Sequence, residues 1–193
     1  MIENNLYIKE ISLKDEITED ESYLKNLNII KNFKKIIFSS KVAFLVGENG
    51  SGKSTLLEAI AVNSGFNAEG FEPLIIDSYG GTSLHKMSHG ECFMALMANR
   101  FSGNGLYILD EPEAALSPLR QMTMLKVIDE LVKKNSQFII VTHSPILMAY
   151  PGADIFVFDD NGVNKTSYKN TDNYIITRKF LENPEKMIRY LLE

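Results

Sequence analysis

A glycine-rich segment near residue 50 has the residue types and spacing of a phosphate-binding loop. Residues 47–54 read Gly-Glu-Asn-Gly-Ser-Gly-Lys-Ser, which satisfies the pattern G-x-x-x-x-G-K-[ST]. Glycines let backbone N–H groups turn toward phosphate oxygens, and the helix that follows directs its positive N-terminal end at the same anion. The alternative is an ordinary glycine-rich turn. The candidate phosphate-binding residues are Asn49, Gly50, Ser51, Gly52, Lys53, Ser54 and Thr55.

Three of these residues have side chains with a specific expected task. Lys53 is predicted to reach the terminal phosphates of a nucleotide, Ser54 to bind Mg²⁺, and Thr55 to donate a hydrogen bond to the alpha phosphate. The surrounding sequence supports this interpretation, because an apolar run precedes the loop and a helical pattern follows it. The segment therefore predicts binding of a nucleotide with magnesium.

Two consecutive carboxylates follow a second apolar run, residues 106–109. In open parallel sheets, ligands bind at the carboxyl ends of the strands. Asp110 is therefore predicted to hold Mg²⁺, directly or through water, opposite Ser54. Glu111 is predicted to polarise the water that attacks the gamma phosphate in line. Consecutive acids can also simply begin a loop, and Glu113 is predicted to be a solvated or structural acid.

A histidine follows a third apolar run, residues 138–141. At the same edge of the sheet as Asp110, His143 could donate a hydrogen bond to the gamma phosphate or fix the attacking water. The alternative is that it caps the short helix predicted to begin at Pro145. Its position after a strand beside the acidic strand favours the functional interpretation.

These groups require a framework in which apolar strands alternate with helices. Continuous apolar strands of this kind predict a mainly parallel sheet that helices cover on both faces. The segment from Asp159 to Gly162 predicts a hairpin turn. Strands are predicted at residues 6–8, 11–13, 36–38, 42–46, 73–76, 106–109, 138–141 and 155–158. Helices are predicted at residues 54–62, 88–101, 118–134 and 145–150, and as a pair within 172–193 broken at Asn183-Pro184.

Composition excludes several classes of protein. The 193 residues carry 20 basic and 25 acidic side chains, a net charge of −5, which argues against a strongly basic nucleic-acid binder. The single cysteine excludes an intramolecular disulfide framework and fits a reducing cytoplasm. The N-terminal residues lack the features of a signal peptide, so we expect a cytoplasmic protein. A cluster of Lys31, Lys34 and Lys35 around Phe33 could contact nucleic acid or could be a solvated strand entrance.

Four segments stand in a characteristic order: residues 47–55, Ser88-His89-Gly90-Glu91, Asp110-Glu111-Pro112, and Thr142-His143-Ser144. As an ordered set, they resemble the ABC-type ATPase superfamily. The resemblance is closer to the soluble "AAA-type" branch, with the structural-maintenance-of-chromosomes and recombination ATPases, than to transporter subunits. The resemblance implies that Ser88 and Gly90 belong to the signature motif, which contacts the gamma phosphate of ATP held by a second subunit. It also implies that residues 114–117 are the D-loop and residues 142–144 the H-loop.

The resemblance further implies a fold and an activity. The fold is an α/β P-loop NTPase with a mainly parallel sheet flanked by helices and an N-terminal antiparallel β portion. The activity is Mg²⁺-dependent ATP hydrolysis with ATP sandwiched between two head-to-tail protomers, with Lys53, Glu111 and His143 as catalytic groups. The whole chain is predicted to form one domain, comprising an N-terminal β portion (1–46), a P-loop core (47–159) and a C-terminal hairpin with helices (160–193).

Some features depart from the family pattern. No glutamine stands between Thr55 and Ser88, which are 33 positions apart, so the Q-loop is missing and the helical subdomain is predicted to be reduced or partly missing. We hypothesise a seam near Gly70-Phe71, such as a natural deletion. The D-loop has Leu116-Ser117 in place of Leu-Asp. These departures count against a transporter subunit with a membrane permease. A switch ATPase acting on nucleic acid or protein, and a nucleotide-gated module with little turnover, remain as alternatives.

Overall fold

A five-stranded sheet forms the core of the protein in a computed structural model that describes residues 5–13, 33, 35–65, 97 and 101–193. The described strands are β1 (Glu10–Ile11), β2 (Ile36–Ile37), β3 (Val42–Gly47), β4 (Leu106–Asp110), β5 (Gln137–Val141), β6 (Asp154–Asp159) and β7 (Gly162–Thr166). Their order in the sheet is β4-β5-β3-β6-β7, with the first four strands parallel. The last pair is the antiparallel hairpin expected at residues 159–162. The predicted α/β fold with a mainly parallel sheet is confirmed.

Helices cover both faces of this sheet. The described helices are α1 (Lys53–Asn63), α2 (Pro118–Lys133), α3 (Asp172–Glu182) and α4 (Pro184–Leu192). Side chains alternate across β3, so Phe44 packs in one cluster with α2, and Leu45 packs in a second cluster with α1. Both side chains are fully buried. This two-sided burial explains why β3 and β5 are continuous apolar runs.

Local signals set the ends of the helices. The Ser117 hydroxyl accepts a hydrogen bond from Arg120 N, and Pro118 occupies the first position of α2, where proline is tolerated. In the tail, α3 and α4 meet at Asn183-Pro184 as predicted. Within the described part of the chain, none of the helices has the length and apolar character needed to cross a bilayer.

The N-terminal portion is antiparallel, as predicted, but the prediction of a first strand at residues 6–8 is wrong. Strands β1 and β2 form an antiparallel pair, whereas residues 6–8 are not a strand. Instead, the side chain of Gln137, buried at the start of β5, pairs with the backbone of Ile8. Ile8 N donates to its Oε1 and its Nε2 donates to Ile8 O, each at 2.9 Å. A side-chain amide therefore takes the place of a neighbouring strand. The strand predicted at 11–13 also ends early, because β1 stops at Ile11.

Of two further predicted helices, one is shorter than predicted and the other lies mostly outside the described residues. The helix predicted at 145–150 is only a 3-10 turn, Leu147–Ala149. It ends there because Pro151 follows Tyr150, whose ψ of 126° is typical of a residue before proline. Of the helix predicted at 88–101, Met97 is helical and Phe101 is not. Four other predictions lie outside the described residues: the remainder of that helix, the strand at 73–76, the seam near residue 70 and the helical-subdomain region.

One buried carboxylate ties the N-terminal portion to the sheet. Asp154, at the start of β6, is only 4% exposed. It accepts hydrogen bonds from Ser39 N at 2.6 Å and Ser40 N at 3.0 Å, and it pairs with Lys165 Nζ at 2.6 Å. Burial alone would raise the pKa of Asp154, but the hydrogen bonds from Lys165, Ser39 and Ser40 outweigh it and hold the pKa below its ordinary value.

Replacement of Asp154 with alanine is expected to lower the free energy of unfolding by about 3 kcal/mol at pH 7, because buried donors lose their acceptor. Since the pKa is lowered by folding, this contribution is full above the ordinary carboxyl pKa of 3.8 and disappears as the pH falls below it. Urea unfolding across this range measures the difference. Glu130→Ala, at an exposed acid, is the control and should change little. A gap between wild type and Asp154→Ala that persists unchanged at the lowest pH would contradict this account.

Candidate nucleotide-binding site

The phosphate loop follows β3, the central strand of the sheet. A side chain at Gly47 would place its Cβ 2.4 Å from the carbonyl oxygen of Phe158, so the close approach of β6 requires glycine there. Gly52 has a φ of 90°, a left-handed conformation, and leads directly into α1. No side chain of the described residues caps the start of this helix. Its first N–H groups therefore remain available to an anion.

Lys53 is buried inside this loop. It is 5% exposed, and its Nζ donates hydrogen bonds to the carbonyl oxygens of Gly47 at 2.8 Å and Glu48 at 2.7 Å. Burial lowers the pKa of Lys53 below its ordinary value, and the negative charges of Glu111 and Asp110 partly offset this effect. The fold therefore brings the loop lysine within electrostatic reach of the two carboxylates that follow β4.

Glu111 has an unusual backbone conformation. Its φ of 42° and ψ of 51° lie in the left-handed region, which costs a non-glycine residue about 1 kcal/mol or more. Glu111 N donates to Val141 O at 2.9 Å, so an additional hydrogen bond to the end of β5 holds the residue in this turn. Pro112 then opens a 3-10 turn, Pro112–Ala115. Strained conformations of this kind are typical of functional sites, and the sequence contains no signal for it.

His143 lies beside this carboxylate. Strand β5 stands between β3 and β4, and its end therefore places His143 between the loop and the acidic turn. Its Nε2 is 3.3 Å from Glu111 Oε1. The two atoms are not aligned as a hydrogen bond, and Nε2 has no hydrogen-bond partner among the residues that the structure describes. A donor or acceptor on a bound substrate could occupy this position.

Three further candidate side chains lie at the start of α1 and at the end of β4. Ser54 lies in the first turn of α1 and Asp110 is the last residue of β4, and both are exposed. Thr55 is half-buried in the same turn of α1. The signature residues Ser88, His89 and Gly90 lie outside the described residues.

An open cavity of about 920 Å³ adjoins the loop. Residues 47–51 form one wall, and His143, the end of β6 and the first turns of α3 form the others. The bulky side chain of Ile176 and the polar side chain of Asn173 face this space from α3. The cavity is large enough for a nucleotide-sized ligand or a protein loop.

Four hydrogen bonds at and near His143 were not expected from the sequence. Glu113 Oε1 accepts a hydrogen bond from His143 N at 2.6 Å, and Asn173 Nδ2 donates to His143 O at 2.9 Å. The buried side chain of Gln121 donates to Leu116 O and accepts from the Ser144 hydroxyl. Glu113 is therefore structural, which was one of its two predicted roles. No local pattern marks the contact of Gln121 with Ser144 or that of Asn173 with His143, because these partners lie 23 and 30 positions away in the chain.

Known structures share the fold of this chain. Two solved structures share the fold, each with a TM-score of 0.51. A candidate cobalt transport ATP-binding protein is 18% identical over 70% of this chain and 72% of its own. The dimeric structure of a bacterial ABC transporter cassette is 16% identical over 72% of this chain and 92% of its own.

Sequence similarity to known ATPases covers parts of the chain. The model of the "AAA ATPase domain" matches residues 91–148, and that of the "AAA domain" matches residues 23–73. A Haemophilus influenzae "uncharacterized ABC transporter ATP-binding protein" is 36% identical over 76 residues. Over these segments, the chain is similar to ATPases of the AAA and ABC types. It aligns with that relative over 39% of its own length and spans only 29% of the relative's length.

Proposed function

We propose that this protein binds ATP with Mg²⁺ and hydrolyses it to ADP and phosphate. The observation that carries the proposal is the arrangement around Lys53. The lysine is buried in a glycine-rich loop at the end of the central strand, within reach of the charges of Asp110 and Glu111. His143 lies 3.3 Å from Glu111 on the strand between them. Cation, carboxylates and imidazole therefore converge on the position where a gamma phosphate would lie.

The chemistry at this site would be mainly positional and electrostatic. The backbone N–H groups of residues 49–55 cradle the phosphates, and Lys53 neutralises charge on the terminal ones. Glu111 orients a water molecule and accepts its proton as the water oxygen attacks the gamma phosphorus. The bond from that phosphorus to the bridging oxygen of ADP breaks. His143 donates a hydrogen bond to the gamma phosphate or fixes the water.

The residues at the site fit a magnesium ion. Ser54 and Asp110 offer exposed, hard oxygen ligands at neighbouring parts of the fold. Mg²⁺ prefers such ligands and is usually held by one or two side chains together with waters and substrate phosphates. When bound, it would supply positive charge to the phosphate oxygens.

The catalytic unit is proposed to be a head-to-tail dimer in which Ser88 and Gly90 of one protomer contact ATP on the other. The dimeric cassette among the structures of the same fold supports this proposal. Isologous pairing around a two-fold axis would complete both sites at once. An isolated protomer would then bind ATP and turn it over slowly.

A mixing experiment tests this arrangement. Lys53→Met and Ser88→Arg are each expected to abolish turnover, because one removes the phosphate cation and the other blocks the contact in trans. Mixed dimers of the two variants would retain one composite site with a wild-type loop and a wild-type signature. The equimolar mixture should therefore recover roughly one quarter of wild-type activity, since about half of the dimers are mixed and each has one intact site.

The control is each variant alone at the same total concentration. Recovery should depend on protein concentration, because dimers must form. If the mixture is as inactive as its components although both variants bind to each other, the composite site does not exist.

Calorimetry and phosphate release distinguish the principal alternatives. ATP with Mg²⁺ should bind to the wild-type protein, and turnover should follow. Binding without turnover would favour a nucleotide-gated module, for which the altered D-loop at Leu116-Ser117 is the supporting feature. An absence of both binding and turnover would contradict the proposed function altogether.

We also propose a biological setting for this activity. We assign the chain to the soluble branch of the superfamily, as a single cytoplasmic domain (1–193) that acts on nucleic acid or another protein. Lys35 of the basic cluster pairs with Glu10 at 2.9 Å, which favours the solvated strand entrance over a nucleic-acid contact at that residue. The matched relative's name mentions transport, so a membrane permease is the competing partner. Co-purification of the protein with membranes would identify a permease partner.

A further inference from the structure

We infer that Glu113 and Asn173 are positioning residues for His143, which they hold from opposite sides through its backbone. The inference rests on the proposed function, in which His143 contacts the gamma phosphate or the attacking water. Neither residue touches the imidazole through a hydrogen bond of its own. Together they determine where the ring can lie.

Glu113 holds the amide side of His143. The contact from His143 N to Glu113 Oε1 is 2.6 Å, a short distance typical of a charge-assisted hydrogen bond. The second carboxylate oxygen, Oε2, is buried and has no hydrogen-bond partner among the described residues. A partly desolvated carboxylate is unfavourable unless it makes a strong contact. The bond to His143 N is the contact that the structure provides.

The position of Glu113 is itself fixed by the turn after β4. Ala114 N donates to Glu111 O at 3.1 Å, and Leu116 N donates to Glu113 O at 2.9 Å. These bonds lock the 3-10 turn that contains both Glu111 and Glu113. The same turn therefore carries the proposed catalytic carboxylate and the carboxylate that holds the histidine.

Asn173 holds the carbonyl side. Its Nδ2 donates to His143 O at 2.9 Å from the first turn of α3. That turn is anchored by Thr171, which is 1% exposed, donates to Tyr168 O at 2.8 Å and accepts from Tyr174 N at 3.4 Å. The C-terminal helices are thus attached to the strand end that carries His143.

The two bonds have a geometric consequence for the ring. With the peptide groups on both sides of His143 held in place, only the side-chain torsions remain free. Nε2 then lies 3.3 Å from Glu111 Oε1, at the edge of the cavity beside the loop. Because a misplacement of about 1 Å can cost a reaction on the order of 100-fold, residues that fix this backbone should influence turnover without touching substrate.

The kinetic test uses the full chain with single and double substitutions. Glu113→Ala and Asn173→Ala should each lower kcat about 10- to 100-fold and leave the Kd for ATP within about twofold of wild type. Glu113→Gln keeps an acceptor oxygen and should recover most of the lost kcat. Asn183→Ala removes a matched asparagine that caps α4 through Lys186 N, and should leave kcat unchanged.

A double-mutant comparison separates positioning from general damage. In a His143→Ala background, Glu113→Ala and Asn173→Ala should lower kcat by less than about twofold further, because the group that they position is gone. A full additional loss in that background would overturn the inference. Melting temperatures of all variants identify any that fail to fold. If Glu113→Ala is one of them, Glu113→Gln takes its place in the comparison.

A spectroscopic test does not depend on turnover. The protein is labelled with ring ¹⁵N-histidine, and its three histidines each give a signal in the NMR spectrum. The signal that is lost in His143→Gln is assigned to His143. It should shift or broaden in Glu113→Ala and Asn173→Ala and remain in place in Asn183→Ala. An unchanged signal in both variants would overturn the inference even if ATP is hydrolysed. If the wild-type protein does not hydrolyse ATP, the proposed function is contradicted. The change in the His143 signal in the two variants would still show whether they position the ring.

Discussion

Glu111→Gln is expected to lower the rate of ATP hydrolysis by about 10²- to 10⁴-fold and to leave ATP bound. The amide keeps the shape of the side chain but cannot accept a proton from water. Because the bound triphosphate would no longer be consumed, the variant should accumulate as an ATP-bound dimer. Phosphate release measures the rate, and size-exclusion chromatography with and without ATP measures the dimer.

Two further substitutions serve as controls for Glu111→Gln. Glu182→Gln changes an exposed carboxylate that pairs with Arg178 in α3, and should leave the rate unchanged. Glu111→Gly should be inactive but more stable by about 1 kcal/mol, since glycine adopts the left-handed conformation without strain. Normal hydrolysis by Glu111→Gln would show that the carboxylate is not the group that handles the water.

Lys53→Met is expected to weaken ATP binding by roughly 100-fold or more, because charge-assisted hydrogen bonds to phosphate disappear. The substitution also removes the bonds that Nζ makes to Gly47 O and Glu48 O, so the empty loop should be less ordered. Titration calorimetry with ATP and Mg²⁺ measures the affinity. The loss of affinity should far exceed any loss of thermal stability.

The matched control for Lys53→Met lies at the end of β3 opposite the loop. Lys41 precedes β3, and its Nζ donates to Asn135 Oδ1 at 3.1 Å, away from the loop. Lys41→Met should therefore bind ATP as the wild type does. Equal losses of affinity in the two variants would indicate a general effect of charge rather than a specific phosphate contact.

The strands around the site were predictable because their cause is local. Strands β3 and β5 are buried on both faces, so nearly every side chain is apolar and the pattern is visible in a short window. The hairpin after β6 and the break between α3 and α4 are set by turn residues and proline. The predicted strand at residues 6–8 was wrong, because the partner of Ile8 is the side chain of Gln137, 129 positions away.

The sequence by itself predicted the loop chemistry and the order of the motifs, because the glycines and lysine of the loop stand within one short segment and the two carboxylates after β4 within another. Only the tertiary structure decided how those segments meet. It placed β5 between the loop strand and the acidic strand, turned Glu111 into a left-handed conformation, and brought Glu113 and Asn173 to the backbone of His143. The physical reason is that these contacts join residues about 30 positions apart, and backbone groups are identical at every residue. No pattern of side chains can therefore predict which backbone amide or carbonyl group will form the hydrogen bond.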